Sequence, residues 1–135
     1  MTVRALILAS VLLLAGEALA DAGRARQNYL IHCMGCHGES GVGLEGQVPS
    51  FRNTLAKISA SPQGRDYVLR VPGVTQATLD DRQTAEVLNW VLAEFSTGDA
   101  AQRIAPFTAA EVARARQQPL LEVNAARDAA FRAAE

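Results

Sequence analysis

One short stretch, Cys33-Met34-Gly35-Cys36-His37, governs what this chain can become. It holds both cysteines of the 135-residue sequence and, with His32 just before it, both histidines. Upstream, Ala22, Ala25, Tyr29 and Cys33 recur at i, i+3, i+7 and i+11, which is one face of a helix, and Asp21 is placed to cap its start. Downstream, residues 38–50 (GESGVGLEGQVPS) carry four glycines and a proline and read as a loop. Two thiols and an imidazole are therefore delivered together where a helix gives way to a loop.

The remainder reads as short helices hung on loops. Phe51, Leu55 and Ile58 share one side of a helix that Ser50 can cap, and Ser61-Pro62 opens another, with proline at the first helical position, running to about Arg70. Val71 precedes Pro72 and is pushed out of the helical region, and Pro72-Gly73 makes a turn. The strongest helix is Asp81–Phe95, with an apolar stripe of Val87, Leu88, Val91, Leu92 and Phe95 and Gly98 just past its end. Thr108 and Glu111 match a capping box, and Pro119 restarts a last helix carrying Leu120, Val123 and Phe131. No segment alternates with period two, so the fold class is all-α. Only four Phe, two Tyr and one Trp are available for a core, so a rigid apolar group from outside the chain would help it fold. A net charge of −1 without any basic run gives no support to nucleic-acid binding.

Residues 1–20 read as a signal peptide. Arg4 supplies a positive start, Ala5–Gly16 an apolar run, and Ala18-Leu19-Ala20 a small-x-small cleavage site before Asp21. The run is about 12 residues, against roughly 20 needed to span a bilayer; an uncleaved anchor is the alternative. The expected mature chain begins at Asp21, has no membrane span, and is periplasmic or otherwise exported.

C-x-x-C-H has a definite chemical meaning. Two thiols three positions apart can add to the two vinyl groups of one haem, and the adjacent imidazole then meets the iron from one face. Cys33 and Cys36 are the candidate tethers and His37 the candidate iron ligand, with one haem c as cofactor. Covalent attachment suits an exported protein, because a haem held by contacts alone is lost to dilution. A thioredoxin-like redox pair expects a βαβ context that this chain lacks. A zinc site needs about four ligands, and Cys33, Cys36, His37 and His32 are too bunched for a tetrahedron. A plain disulfide explains neither His37 nor the glycine loop.

Over residues 22–97 the sequence resembles the small single-haem c-type cytochromes of the class I kind. The resemblance rests on Tyr29 four residues before Cys33, on Cys36-His37-Gly38-Glu39-Ser40-Gly41-Val42-Gly43, on Pro49 in the following loop, and on the helix from Leu79 to Phe95. It implies a cytochrome c-like bundle of short helices around the haem, as a domain over 21–97 with a helical C-terminal extension over 98–135. It implies that the first and last helices of that domain cross with Trp90 near the haem edge, although a plain core tryptophan would be buried equally. It implies also that a carbonyl near Pro49 accepts a hydrogen bond from the non-ligating nitrogen of His37, fixing its tautomer; the alternative is a proline that merely punctuates the loop.

The family pattern breaks on the other face of the iron. The usual Met-Pro position reads Val71-Pro72, and valine has no lone pair to give. Met34 lies between the tethers, Met1 leaves with the signal peptide, and His32 lies on the attachment side. Lys57, the only lysine, is the candidate sixth ligand, with a solvated lysine as the bland alternative; Asn53 is weaker. Tyr67 packs against the haem or bonds a propionate. One of Arg52, Arg65 and Arg70 is expected to pair with a propionate, Arg70 being the candidate carried forward, and the others to lie on the surface. The expected function is single-electron carriage between redox partners such as a dehydrogenase and an oxidase, with no enzymatic role. The alternative is a haem sensor or small-ligand-binding module with an open sixth position.

Overall fold

The computed structural model describes residues 21–135, and the signal peptide expected at 1–20 lies outside the described residues. Helix α1 covers residues 21–32, and a single further turn, α2 (Met34–His37), carries the motif. Ala25 and Tyr29, one turn apart, are buried, whereas Ala22 is exposed. Asp21 is itself helical rather than a cap, and its carboxylate accepts from Arg24 Nη2 at 2.6 Å. Gly38 ends α2 at φ 72°, a left-handed conformation that costs a glycine nothing.

Helices α3 (Thr54–Ser59) and α4 (Pro62–Arg70) follow. Ser50 does not cap α3: its hydroxyl accepts from Arg52 N and donates to the Gly41 carbonyl, closing a turn, while Asn53 enters the helix at φ 57°. Ser61 caps α4 as expected, accepting from Gly64 N at 3.0 Å, with Pro62 in the first turn. Val71 is extended (ψ 146°), after which Pro72 starts the one-turn helix α5 (Pro72–Thr75) in place of a simple turn. Proline's fixed φ suits a first helical position as well as a turn, which is why sequence does not separate the two.

Helix α6 (Asp81–Phe95) has the expected bounds, held at its start by the reciprocal Asp80–Gln83 capping box. It crosses α1, with the Tyr29 and Trp90 rings 5.1 Å apart and Arg24 bonded to Glu86 at 2.9 Å. At its far end, Asn53 N donates to the Phe95 carbonyl, and Asn53 Oδ1 accepts from Thr97 N and Oγ1. The helix is thus tied at both ends to the elements that flank the motif.

The C-terminal segment packs back on this core. After a 3₁₀ turn (Ala101–Arg103), Asn89 of α6 exchanges two hydrogen bonds with the Phe107 backbone, at 2.7 and 2.9 Å. The Thr108–Glu111 capping box then starts α7 (Ala109–Arg116). Phe107, Val112 and Ala130 are buried; enclosing an apolar side chain the size of Val or Phe contributes ~1.5–3 kcal/mol. Arg116 reaches from α7 to Asp81 at 2.6 Å and to the Leu79 carbonyl at 2.8 Å, fixing α7 to the start of α6. The final helix, α8 (Val123–Arg132), begins four residues later than the Pro119 restart expected, and Leu121 in the connection is almost fully exposed. Helix α8 lies against α4. Among the described residues no helix is long and apolar enough to cross a membrane.

Candidate haem site

The crossing of α1 and α6, the 38–53 loop and the turns of α3–α5 leave a mainly apolar cavity of about 330 Å³. Cys33, Cys36 and His37 line it on one side; Val71, Val74 and Tyr67 line it from α4–α5, and Leu88 and Val91 from α6. Both cysteines are free thiols. Cys33 is half-buried, with burial first and its neighbour Cys36 second pushing its thiol up to about 11, and Cys36 is exposed.

His37 is placed by its backbone. Its amide bonds to the Cys33 carbonyl, and its own carbonyl accepts from Gly43 N at 2.8 Å. Gly43 stands at φ 72°, and a Cβ there would run into the carbonyls of Val48 and Pro49, so only glycine lets the loop close under the imidazole. Tyr29, wholly buried, donates its hydroxyl to the Gly38 carbonyl and secures the residue after the histidine. Burial holds the His37 pKa down to about 4, and the Pro49 carbonyl works against that shift. The imidazole is therefore neutral at pH 7, the form that has a nitrogen lone pair to give. Its Nδ1 is buried and stands by the Pro49 carbonyl short of hydrogen-bond geometry. Phe51 stacks on the imidazole at 3.7 Å and 15°, walling one face.

A large, flat, apolar group with a metal at its centre fits this donor set. The cavity is apolar, two thiols sit side by side on its rim, and a neutral imidazole with an orphaned buried nitrogen faces into the same space. Cys33 and Cys36 could hold the group by its edge and His37 by its metal.

Two curated relatives decide the family. The chain is 32% identical to a cytochrome c-552 of Thermus thermophilus, over 84% of this chain and 87% of that protein. It is 30% identical to a second Thermus thermophilus cytochrome c-552, over 65% of this chain and 81% of that protein. The chain belongs to the small c-type cytochromes. No family model and no solved structure matches. An alignment over 84% of the chain is longer than residues 1–97, so the likeness continues into the C-terminal segment, beyond the 22–97 that the motifs alone carry.

The cytochrome redistributes several of the residues expected at the site. Pro49 and Tyr67 line the cavity, and Tyr67 is buried, which raises its hydroxyl pKa. Trp90 does not line it; the indole packs between Tyr29 and Phe95 where α1 and α6 cross. Lys57 is exposed on α3 and off the cavity wall, because Leu55 and Ile58 take the inward face, so it is withdrawn as a sixth ligand. Arg70 is withdrawn from the haem environment: it bonds Asp66 and the Gln118 carbonyl. Arg65 is spent on Glu111 and the carbonyls of Ala105 and Pro106, and Arg52 bonds the Ser40 carbonyl. His32 is exposed at the cavity rim on the motif side, and Met34 is on the surface. Sequence reasoning expected the last helix but missed its part in the site: Val123, Asn124 and Arg127 of α8 reach the cavity. Their spacing of i, i+1 and i+4 fits one helix face but carries no mark of what that face meets.

Proposed function

We propose that this cytochrome carries single electrons between redox proteins outside the cytoplasm, through one haem attached at Cys33 and Cys36 and ligated by His37. The observation that carries this reading is the half-buried, neutral His37 lining an apolar cavity rimmed by the two thiols. Bound haem supplies the chemistry, a ferric/ferrous couple whose potential the protein sets. The chain supplies position and shielding. Cys33 and Cys36 would fix the edge of the group, and the Gly43 turn holds the backbone of His37 in place through its bond to the His37 carbonyl. Val71, Val74, Leu88 and Val91 keep water from the interior. A site tied to α1, α6 and a close-packed glycine loop changes little in shape when its charge changes, as rapid electron exchange requires. Export rests on the leader-like residues 1–20. A redox titration of the purified protein tests the reading: a reversible couple with the slope of one electron supports it, and an irreversible or two-electron response overturns it.

One observation favours a second role for the same haem. Val71 and Val74 line the cavity where the family's methionine would stand, and the lining holds no methionine or lysine and, beside His37, only the exposed His32 on the motif side. An iron ligated only by His37 binds carbon monoxide once reduced. A ferrous spectrum that ignores carbon monoxide contradicts the open position and leaves simple electron carriage.

A further inference from the structure

The residue with the least explained position is Arg127. Of the residues lining the cavity it alone carries a permanent charge. It is half-buried, on a helix whose Ala130 is fully enclosed and whose Ala126 and Phe131 pack against the core. Its Nη1 donates to the Gln47 carbonyl at 3.1 Å and its Nη2 to Asn124 Oδ1 at 3.2 Å. The guanidinium therefore bridges α8 and the loop leading to Pro49, across the mouth of the cavity. Among the described residues no carboxylate pairs with it, although the arginines of α4 are each matched to an acid. A guanidinium has five N–H donors in a planar fork, and this one spends only two, on neutral acceptors. Asn124 is exposed beside it, and the hydroxyl of Tyr67 lies near enough to feel the charges of Arg127 and Asp128.

A fixed, unmatched cation at the mouth of an apolar cavity asks for an anion that the cavity's occupant brings with it. Haem carries two carboxylates on one edge, and these need both water and a counter-charge. Resting on the haem reading above, we propose that Arg127, steadied by Asn124 and Gln47, is the partner of a haem carboxylate, so that α8 closes the haem site. The C-terminal segment is then part of cofactor binding. A cation at this position also favours the more negatively charged, reduced state of the haem.

The test uses the intact, haem-loaded protein and the variants Arg127→Gln, Arg127→Lys and Arg70→Gln. The midpoint potential and the resonance Raman band for propionate bending are read on each. Arg127→Gln is expected to lower the potential and shift the band. Arg127→Lys keeps the charge but loses the fork, so it shifts the band with a smaller change in potential. Arg70→Gln removes the same charge away from the cavity and leaves both readings at the wild-type value. An Arg127→Gln protein matching wild type in both overturns the proposal while leaving the haem reading intact; wild-type protein without haem overturns both. If Arg127→Gln does not fold, as judged by circular dichroism, an unshifted band in Arg127→Lys overturns the proposal. Titration of the wild type with inorganic phosphate separates the two sources of an oxyanion: a saturable shift in potential that Arg127→Gln abolishes assigns the site to a free anion and overturns the haem-carboxylate pairing.

Discussion

The ion pair between Arg65 and Glu111 is the best place to measure how firmly the C-terminal segment is held. Arg65 Nε and Nη2 reach the two carboxylate oxygens of Glu111 at 2.7 and 3.0 Å, while Nη1 and Nη2 donate to the carbonyls of Ala105 and Pro106. The guanidinium lies 4.2 Å over the Phe107 ring. The Arg65 hydrogen bond is the largest cause holding the Glu111 carboxyl down from 4.5 to about 2, with the Thr108 hydroxyl and amide adding to it against burial. At ~1.4 kcal/mol per tenfold change in proton affinity, that shift sets a ceiling of about 3 kcal/mol. The pair lies near the surface, its side chains 18% and 20% exposed, and solvent screening reduces the figure to roughly 1–2 kcal/mol. Because the folded-state pKa is depressed, this stabilisation is complete above about pH 4.5 and is lost as pH falls toward 2. Glu111→Gln keeps the shape and can keep the capping box, so it removes mainly the charge. Urea unfolding of the haem-loaded protein, followed by circular dichroism between pH 2 and 7, should show the variant less stable by about 1–2 kcal/mol at pH 7. The gap should close near pH 2. A gap that is absent, or constant across that range, refutes the reasoning.

Two other perturbations act on the site itself. Gly43→Ala places a Cβ against the Val48 and Pro49 carbonyls at φ 72°, and the left-handed conformation alone costs ~1–2 kcal/mol. Thermal unfolding should show a loss of at least about 2 kcal/mol, and a near-neutral effect would mean the loop under His37 is slack. Val71→Met puts a thioether on the cavity wall where the family usually has one. The variant should have a raised midpoint potential and a weaker carbon monoxide response, whereas an unchanged ferrous spectrum would show that residue 71 does not approach the iron.

Local chemistry made much of the fold legible. The capping signals at Ser61 and Thr108 and the apolar stripe of α6 set helices where they are expected, because each is decided within one turn of the chain. The same is true of the motif, where Cys33, Cys36 and His37 share a cavity by virtue of their spacing alone. Sequence misleads where a tertiary partner decides. Ser50 has the chemistry of a cap but spends its hydroxyl on Gly41, and the last helix waits for Val123 because Leu120 N first bonds the Arg70 carbonyl. Arg65 and Arg70 read as haem partners because the extension that occupies them has no visible destination in the sequence. Arg127 escapes notice for the same reason, as nothing in an Ala- and Arg-containing helix says that it returns to the cavity.

Covalent attachment at Cys33 and Cys36 is the claim on which the rest depends, and acid–acetone extraction followed by intact mass measurement tests it most directly. The wild-type chain should retain the mass of one haem after extraction, and a Cys33→Ser/Cys36→Ser double variant should lose it. Haem extracted from the wild type, or retained by the double variant, would contradict the account.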